Sequence, residues 1–115
     1  MTYRWSEVRK LNQLKQHLDV EDFPGVYAFL TALNGPVIYI GISDKNLRRR
    51  IQNRPYKYYA YISCKTTYEA YILECGFYHD FEPTDNRIHP ALPRLGNFPN
   101  QVSFCPKCGV HPRKN

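Results

Sequence analysis

Gly25-Val26-Tyr27-Ala28-Phe29-Leu30 and Val37-Ile38-Tyr39-Ile40-Gly41-Ile42 are two short apolar runs with Asn34-Gly35 between them. An Asn-Gly step between such runs is a strong local signal for a tight hairpin turn, so the stretch predicts antiparallel strands over 26–30 and 37–42. Alternation along the second strand puts Ile38, Ile40 and Ile42 on one face. Tyr39 falls on the other face, where the hairpin brings it alongside Tyr27.

Upstream, Val8, Leu11, Leu14 and Leu18 recur at helical spacing, which predicts an amphipathic helix over 6–19 capped by Ser6 and broken by Phe23-Pro24-Gly25. Downstream, a short helix over 45–53 is stopped by Pro55, and 58–64 reads as a third strand. Thr66 followed three residues later by Glu69 has the form of a capping box, opening a helix that runs to about residue 81. Pro83, Pro90, Pro93, Pro99, Pro106 and Pro112 then leave little room for regular structure. At 115 residues the chain can bury one modest core. The expected fold is a single α/β domain: an N-terminal helix (1–22), a core (23–86) in which a three-stranded, mainly antiparallel sheet is flanked by helices, and a proline-rich tail (87–115).

Sixteen Lys and Arg against ten Asp and Glu give a net charge of +6, which suits a polyanionic partner. Distribution sharpens this. From residue 45 to residue 68 the chain carries Lys45, Arg48, Arg49, Arg50, Arg54, Lys57 and Lys65 with no acid, and Tyr56, Tyr58, Tyr59, Tyr61 and Tyr68 are interleaved with them. Cations mixed with flat aromatic groups can neutralise phosphates while packing against sugars or bases, although strand tyrosines beside a solvated basic face would read the same way. No apolar run is long enough for a membrane helix and the first residues lack a secretory pattern, so the expectation is a soluble, cytoplasmic protein without a membrane partner.

Two constellations could carry chemistry. On the last helix Ala70, Leu73, Phe77 and Phe81 define an apolar stripe, and Glu74 falls within it. An unpaired carboxylate there would cost several kcal/mol or stay protonated, so Glu74 needs a metal, a water-filled cleft or an ion pair with an arginine. In the tail, Cys105-Pro106-Lys107-Cys108-Gly109 has the spacing of one knuckle of a zinc site. Cys75 and His79, four apart on a helix and pointing the same way, would complete a structural Zn²⁺ tetrahedron that staples the tail to the helix. His89, His111 or Cys64 could replace one of these ligands, or the pair could hold no zinc. Four cysteines without a signal sequence argue against a disulfide framework.

Gly25-Val26-Tyr27 and Tyr39-Ile40-Gly41 together resemble the paired half-motifs of the GIY-YIG endonuclease family, with Val26 in place of the first central isoleucine. The resemblance covers roughly 24–86 and implies a DNA endonuclease. It implies that Glu74 is the metal-binding glutamate, that Arg50, three residues after Leu47, is the catalytic arginine with Arg49 as the alternative, and that Asn86, three residues after Pro83, is the supporting asparagine. Tyr27 and Tyr39 would orient the attacking water, one of them acting as general base. A Mg²⁺ or Mn²⁺ ion on Glu74 would neutralise the phosphate, and Lys45, Arg48, Arg49, Arg54 and Lys57 would grip the DNA backbone. Arg54 stands where relatives often carry His or Tyr, so Tyr56 or Tyr58 would have to substitute. That departure leaves a second expectation open, a zinc-containing module on the same fold that binds nucleic acid or protein without cutting. A catalytic core of this size touches little duplex, so a homodimer or a targeting protein partner is a further expectation.

Overall fold

The computed structural model describes residues 3–86. Its regular elements are β1 (Arg9–Lys10), a 3₁₀ helix (Leu11–Gln16), β2 (Gly25–Leu30), β3 (Val37–Ser43), α1 (Leu47–Ile51), β4 (Tyr58–Ser63) and α2 (Thr67–Phe81). The four strands form one antiparallel sheet in the order β1-β4-β2-β3. No helix among the described residues is long and apolar enough to cross a membrane.

The central hairpin forms as its sequence predicts. β2 lies between β3 and β4, and all six of its residues are buried. Tyr27 pairs with Gly41 and Tyr61, and Phe29 with Tyr39 and Tyr59, so one face of the sheet is aromatic. On the opposite face Val26, Ile40 and Ile62 pack under α2. The turn is longer than the Asn-Gly signal predicts: the Gly35 amide donates to the Ala32 carbonyl, which makes Gly35 the last residue of the turn. A register shift next to Phe29 leaves Ile38 unpaired with β2.

The sheet has four strands rather than the expected three, because 6–10 runs alongside β4 and is not helical. Arg9 pairs with Tyr59 and Lys10 with Tyr58, and the Ser6 amide donates to the Tyr61 carbonyl while the Ser6 hydroxyl oxygen accepts from the Tyr61 amide. Ser6 is therefore a strand-pairing residue, and the predicted N-terminal helix shrinks to the 3₁₀ turn. Leu11 and Leu14, three apart, are both buried on the aromatic face, while Leu18 is 79% exposed. A spacing of three satisfies one 3₁₀ turn as well as an α-helical stripe. Arg9 then closes the segment, donating to both Asp19 carboxylate oxygens at 2.7 and 2.9 Å and holding that carboxyl well below its ordinary pKa.

Arg48 locks this segment to α1. Its guanidinium donates to the carbonyls of Leu14 (2.7 Å), His17 (2.9 Å) and Val20 (2.7 Å). Expected as a DNA contact, Arg48 instead satisfies three backbone acceptors that the short 3₁₀ turn leaves open.

α2 begins at the Thr66 cap, whose hydroxyl accepts from the Glu69 amide, and Glu69 returns the favour to the amide of Lys65 rather than of Thr66. The helix ends at Glu82 in a left-handed conformation (φ 46°). Past it, the Asp85 amide donates to the Ile38 carbonyl and the Asn86 side chain bonds both backbone groups of Ile40, at 2.7 Å to the amide and 2.9 Å to the carbonyl. Asn86 thus acts as a one-residue strand on the exposed edge of β3.

Arg48→Ala should lower stability by roughly 2–4 kcal/mol, since it strips charged donors from three carbonyls at once. Arg49→Ala should stay within about 0.5 kcal/mol, its ion pair with Asp22 being at the surface. Urea unfolding of the two variants measures this, and equal losses would contradict the locking role.

Candidate active site

The aromatic face of the hairpin sets the site. The Tyr27 ring lies across Gly41 of the neighbouring strand, so closely that a Cβ at position 41 would overlap its phenol end, 2.5 Å from the hydroxyl oxygen and 2.6 Å from Cε2. Only glycine leaves that space. Tyr27 in turn stacks on Tyr39 with centroids 6.3 Å apart and planes 20° from parallel. Phe29 sits between Tyr27 (5.4 Å), Tyr39 (5.9 Å) and Tyr56, against which it stacks at 4.4 Å.

Arg54 covers this cluster. α1 ends at Ile51, and Asn53 turns the chain with φ 62°, a conformation that asparagine tolerates better than most residues. The turn brings the Arg54 guanidinium to 5.2 Å from the Phe29 ring centre and 5.0 Å from that of Tyr39. Partial burial opposes its charge, but hydrogen bonding to Tyr39 and the neighbouring Tyr27 outweighs this and raises its pKa. Arg54, foreseen only as a backbone contact, is thus part of the tyrosine site. Tyr56 joins from the same loop and donates to Asp85 at 2.9 Å; burial and this hydrogen bond push its pKa up to about 12. The local signal was Pro55, which forces the chain out of the helix between these two residues.

Burial raises the Tyr27 pKa, as does the proximity of Tyr39, while Arg54 and Arg50 pull it down. In this state Tyr27 keeps its proton at neutral pH and can present a hydroxyl to a water or a phosphate.

Glu74 occupies the buried side of α2 together with Ala70, Tyr71 and Cys75. The stripe read from sequence is rotated: Ala70 is fully buried, but Phe81 is 38% exposed, and Trp5 packs over Phe77 and Phe81. Glu74 is more enclosed than that stripe implied, at 6% exposure, and its Oε1 is buried without a hydrogen-bond partner. Burial raises its pKa to about 8, opposed by the charge of Arg50. Arg50, on the last turn of α1, is exposed, and among the described residues its guanidinium makes no hydrogen bond or ion pair. It acts electrostatically on both Tyr27 and Glu74 and so links the aromatic face to α2.

Of the five residues expected to act together, Tyr27 and Tyr39 stack on the aromatic face and Glu74 is on α2 at the opposite face, with the charge of Arg50 acting on both Tyr27 and Glu74. Asn86 is present as a support, both ends of its amide engaged by Ile40. Of the expected DNA contacts, Lys45 and Lys57 are exposed, Arg49 is exposed and paired with Asp22, Arg54 belongs to the tyrosine site, and Arg48 is committed to the fold. Cys75 and His79 are both on α2, Cys75 packed with Tyr71 against Ile42. Cys105 and Cys108 lie outside the described residues. Among the described residues no group of three or more His, Cys, Asp and Glu could hold a metal ion, so a cation at Glu74 would take no more than two such side chains from them. A magnesium ion, which keeps several waters and takes one or two carboxylates, fits such a site and the orphaned Oε1.

No protein-family model, curated protein or solved structure matches this chain.

Glu74 makes a pH-dependent prediction. The unfolded carboxyl ionises near 4.5 and the folded one near 8, so the fold favours the protonated form. Without divalent cations, stability should be full below about pH 4.5 and fall as pH rises towards about 8, by at most about 1.4 kcal/mol per pH unit. Glu74→Gln should remove that slope. Chemical unfolding across this range in chelator tests it, and parallel curves for the two proteins would show that Glu74 ionises freely.

Proposed function

We propose that the protein is a metal-dependent endonuclease that hydrolyses DNA phosphodiester bonds. The observation that carries this reading is a buried carboxyl oxygen on Glu74 without a hydrogen-bond partner, within the electrostatic influence of Arg50, whose guanidinium has no hydrogen bond or ion pair among the described residues. A structural ion pair would have joined these groups directly. Instead the carboxyl stands ready for a cation and the arginine for an anion, which is the demand a phosphate with a bound divalent ion makes. The half-motif tyrosines, stacked on one another with Arg54 over Tyr39, and the likeness of their spacing to the GIY-YIG family, support the same conclusion.

In this reading Glu74, as a carboxylate, would hold a Mg²⁺ or Mn²⁺ ion, which would supply neutralisation of the negative charge on the phosphodiester. Arg50 offers its planar fork to the same phosphate, and Tyr27 and Tyr39 orient the attacking water from the aromatic face. Arg54 tunes the tyrosines, drawing the Tyr27 pKa down against its burial. Asn86 holds Ile40, the residue between Tyr39 and Gly41, and so positions both half-motif residues without touching the substrate.

Glu74→Gln should abolish Mg²⁺- or Mn²⁺-dependent nicking of plasmid DNA while DNA binding persists, and Arg50→Ala should cost at least about 10²-fold in cleavage at saturating DNA. Arg49→Ala should alter mainly binding. Near wild-type nicking by Glu74→Gln would refute the site assignment. A wild-type protein that binds DNA but never cuts it would establish the non-catalytic module instead.

A structural Zn²⁺ on Cys75, His79, Cys105 and Cys108 is the second part of the proposal, favoured by the placement of the first two on one buried-to-half-buried side of α2. Freshly purified, reduced protein should contain about one zinc per chain. Cys108→Ser and His79→Ala should each lose it and lower the melting temperature. Metal-free protein with an unchanged melting curve would eliminate the site.

A further inference from the structure

Two cavities lie between the N-terminal 3₁₀ helix and the chain that follows α1. The larger, about 430 Å³, is walled by Leu14 and Lys15 on one side and by Gln52, Asn53 and Arg54 on the other. The smaller, about 290 Å³, lies between Lys10 and Lys57. Asn12 and Tyr56 line both, so the two form one continuous groove.

Among the described residues its walls carry Lys10, Lys15, Arg48, Arg54 and Lys57 and no carboxylate, in a chain with ten acidic residues. A concave surface lined by a single sign of charge concentrates the opposite charge. These cations come from two segments of the chain, the N-terminal one and α1 with the loop after it, brought together by the locking of the 3₁₀ helix to α1 through Arg48. Arg54 and Tyr56 also belong to the aromatic cluster around Tyr39, so the groove opens directly onto the candidate active site. The carboxamides of Asn12, Gln52 and Asn53 add uncharged donors and acceptors along the same path.

We propose that this groove holds the length of nucleic-acid strand flanking the phosphate bound at Arg50 and Glu74. Lys15, Lys10 and Lys57 take successive backbone phosphates, and the carboxamides meet sugars and base edges. The identity of the occupant rests on the nuclease reading; the path is fixed by the groove. Lys10 and Lys15, which belong to the N-terminal segment and not to the basic run at 45–65, become part of the nucleic-acid interface.

The experiment is a salt titration of binding to a short fluorescent duplex DNA, done in Glu74→Gln protein so that nothing is cut. Lys15→Ala and Lys57→Ala should each weaken binding and reduce the slope of log affinity against log salt by about one. Lys65→Ala is the control, because it removes the same charge at the far end of β4 and should leave the slope unchanged. Thermal melts confirm that each variant is folded. If the parent binds and the groove variants keep its slope, or match Lys65→Ala, the groove proposal is overturned while the nuclease reading stands. If the parent binds no DNA at any salt, both fall together.

Discussion

The seating of the Tyr27 ring on Gly41 is the contact on which the rest of the site depends. It requires β2 and β3 in one register, because a slip of one residue would send Tyr27 and Tyr39 to the α2 face. It requires glycine at 41, since any side chain would occupy the ring's volume. With the ring in place, Tyr27, Phe29 and Tyr39 become a continuous aromatic surface, and Arg54 has something to lie on. The glycine and tyrosines of the two half-motifs are therefore one packing unit, in which the glycine is the space the tyrosine fills.

Four arginines within seven residues take four different roles, and the geometry of a short helix explains why. Arg48 points back to the N-terminal segment and is consumed by carbonyls; Arg49 pairs with Asp22 at the surface; Arg50 is exposed and has no hydrogen bond or ion pair of its guanidinium among the described residues; Arg54, beyond the helix, folds over the rings. Successive helical residues are separated by about 100°, so adjacent arginines cannot share a target. Charge in this region is divided between holding the fold, covering the rings and facing solvent.

Glu74 holds the opposite position. Water is kept from it by α2 and the sheet, and Arg50 is too exposed to neutralise it, so its proton stays on to about pH 8. A cation bound there, as proposed, would convert this burial from a cost into affinity, with release of the proton. At the other end of α2 the Asn86 amide bonds to Ile40 and fastens the helix exit to the half-motif strand, so the helix carrying Glu74 and the strand carrying Tyr39 are tied to one another.

The hairpin, the common face of Tyr27 and Tyr39, the Thr66 cap and the anomalous placement of Glu74 were legible in the sequence, because each follows from local rules: strand alternation, a capping residue, a charge among apolar neighbours. The N-terminal segment was misread because Leu11 and Leu14 satisfy helical and 3₁₀ spacing alike, and only pairing with β4 decides between them. The α2 stripe was rotated because that helix is apolar around most of its circumference, leaving periodicity little to orient it by. Which arginine supports the fold, which one covers the tyrosines, and that Lys10 and Lys15 face the same groove as Lys57 depend on residues tens of positions apart. Those were decided by the tertiary structure, because a long cationic side chain carries no local preference for its partner and takes whichever acceptor, ring or cavity the folded chain sets within its reach.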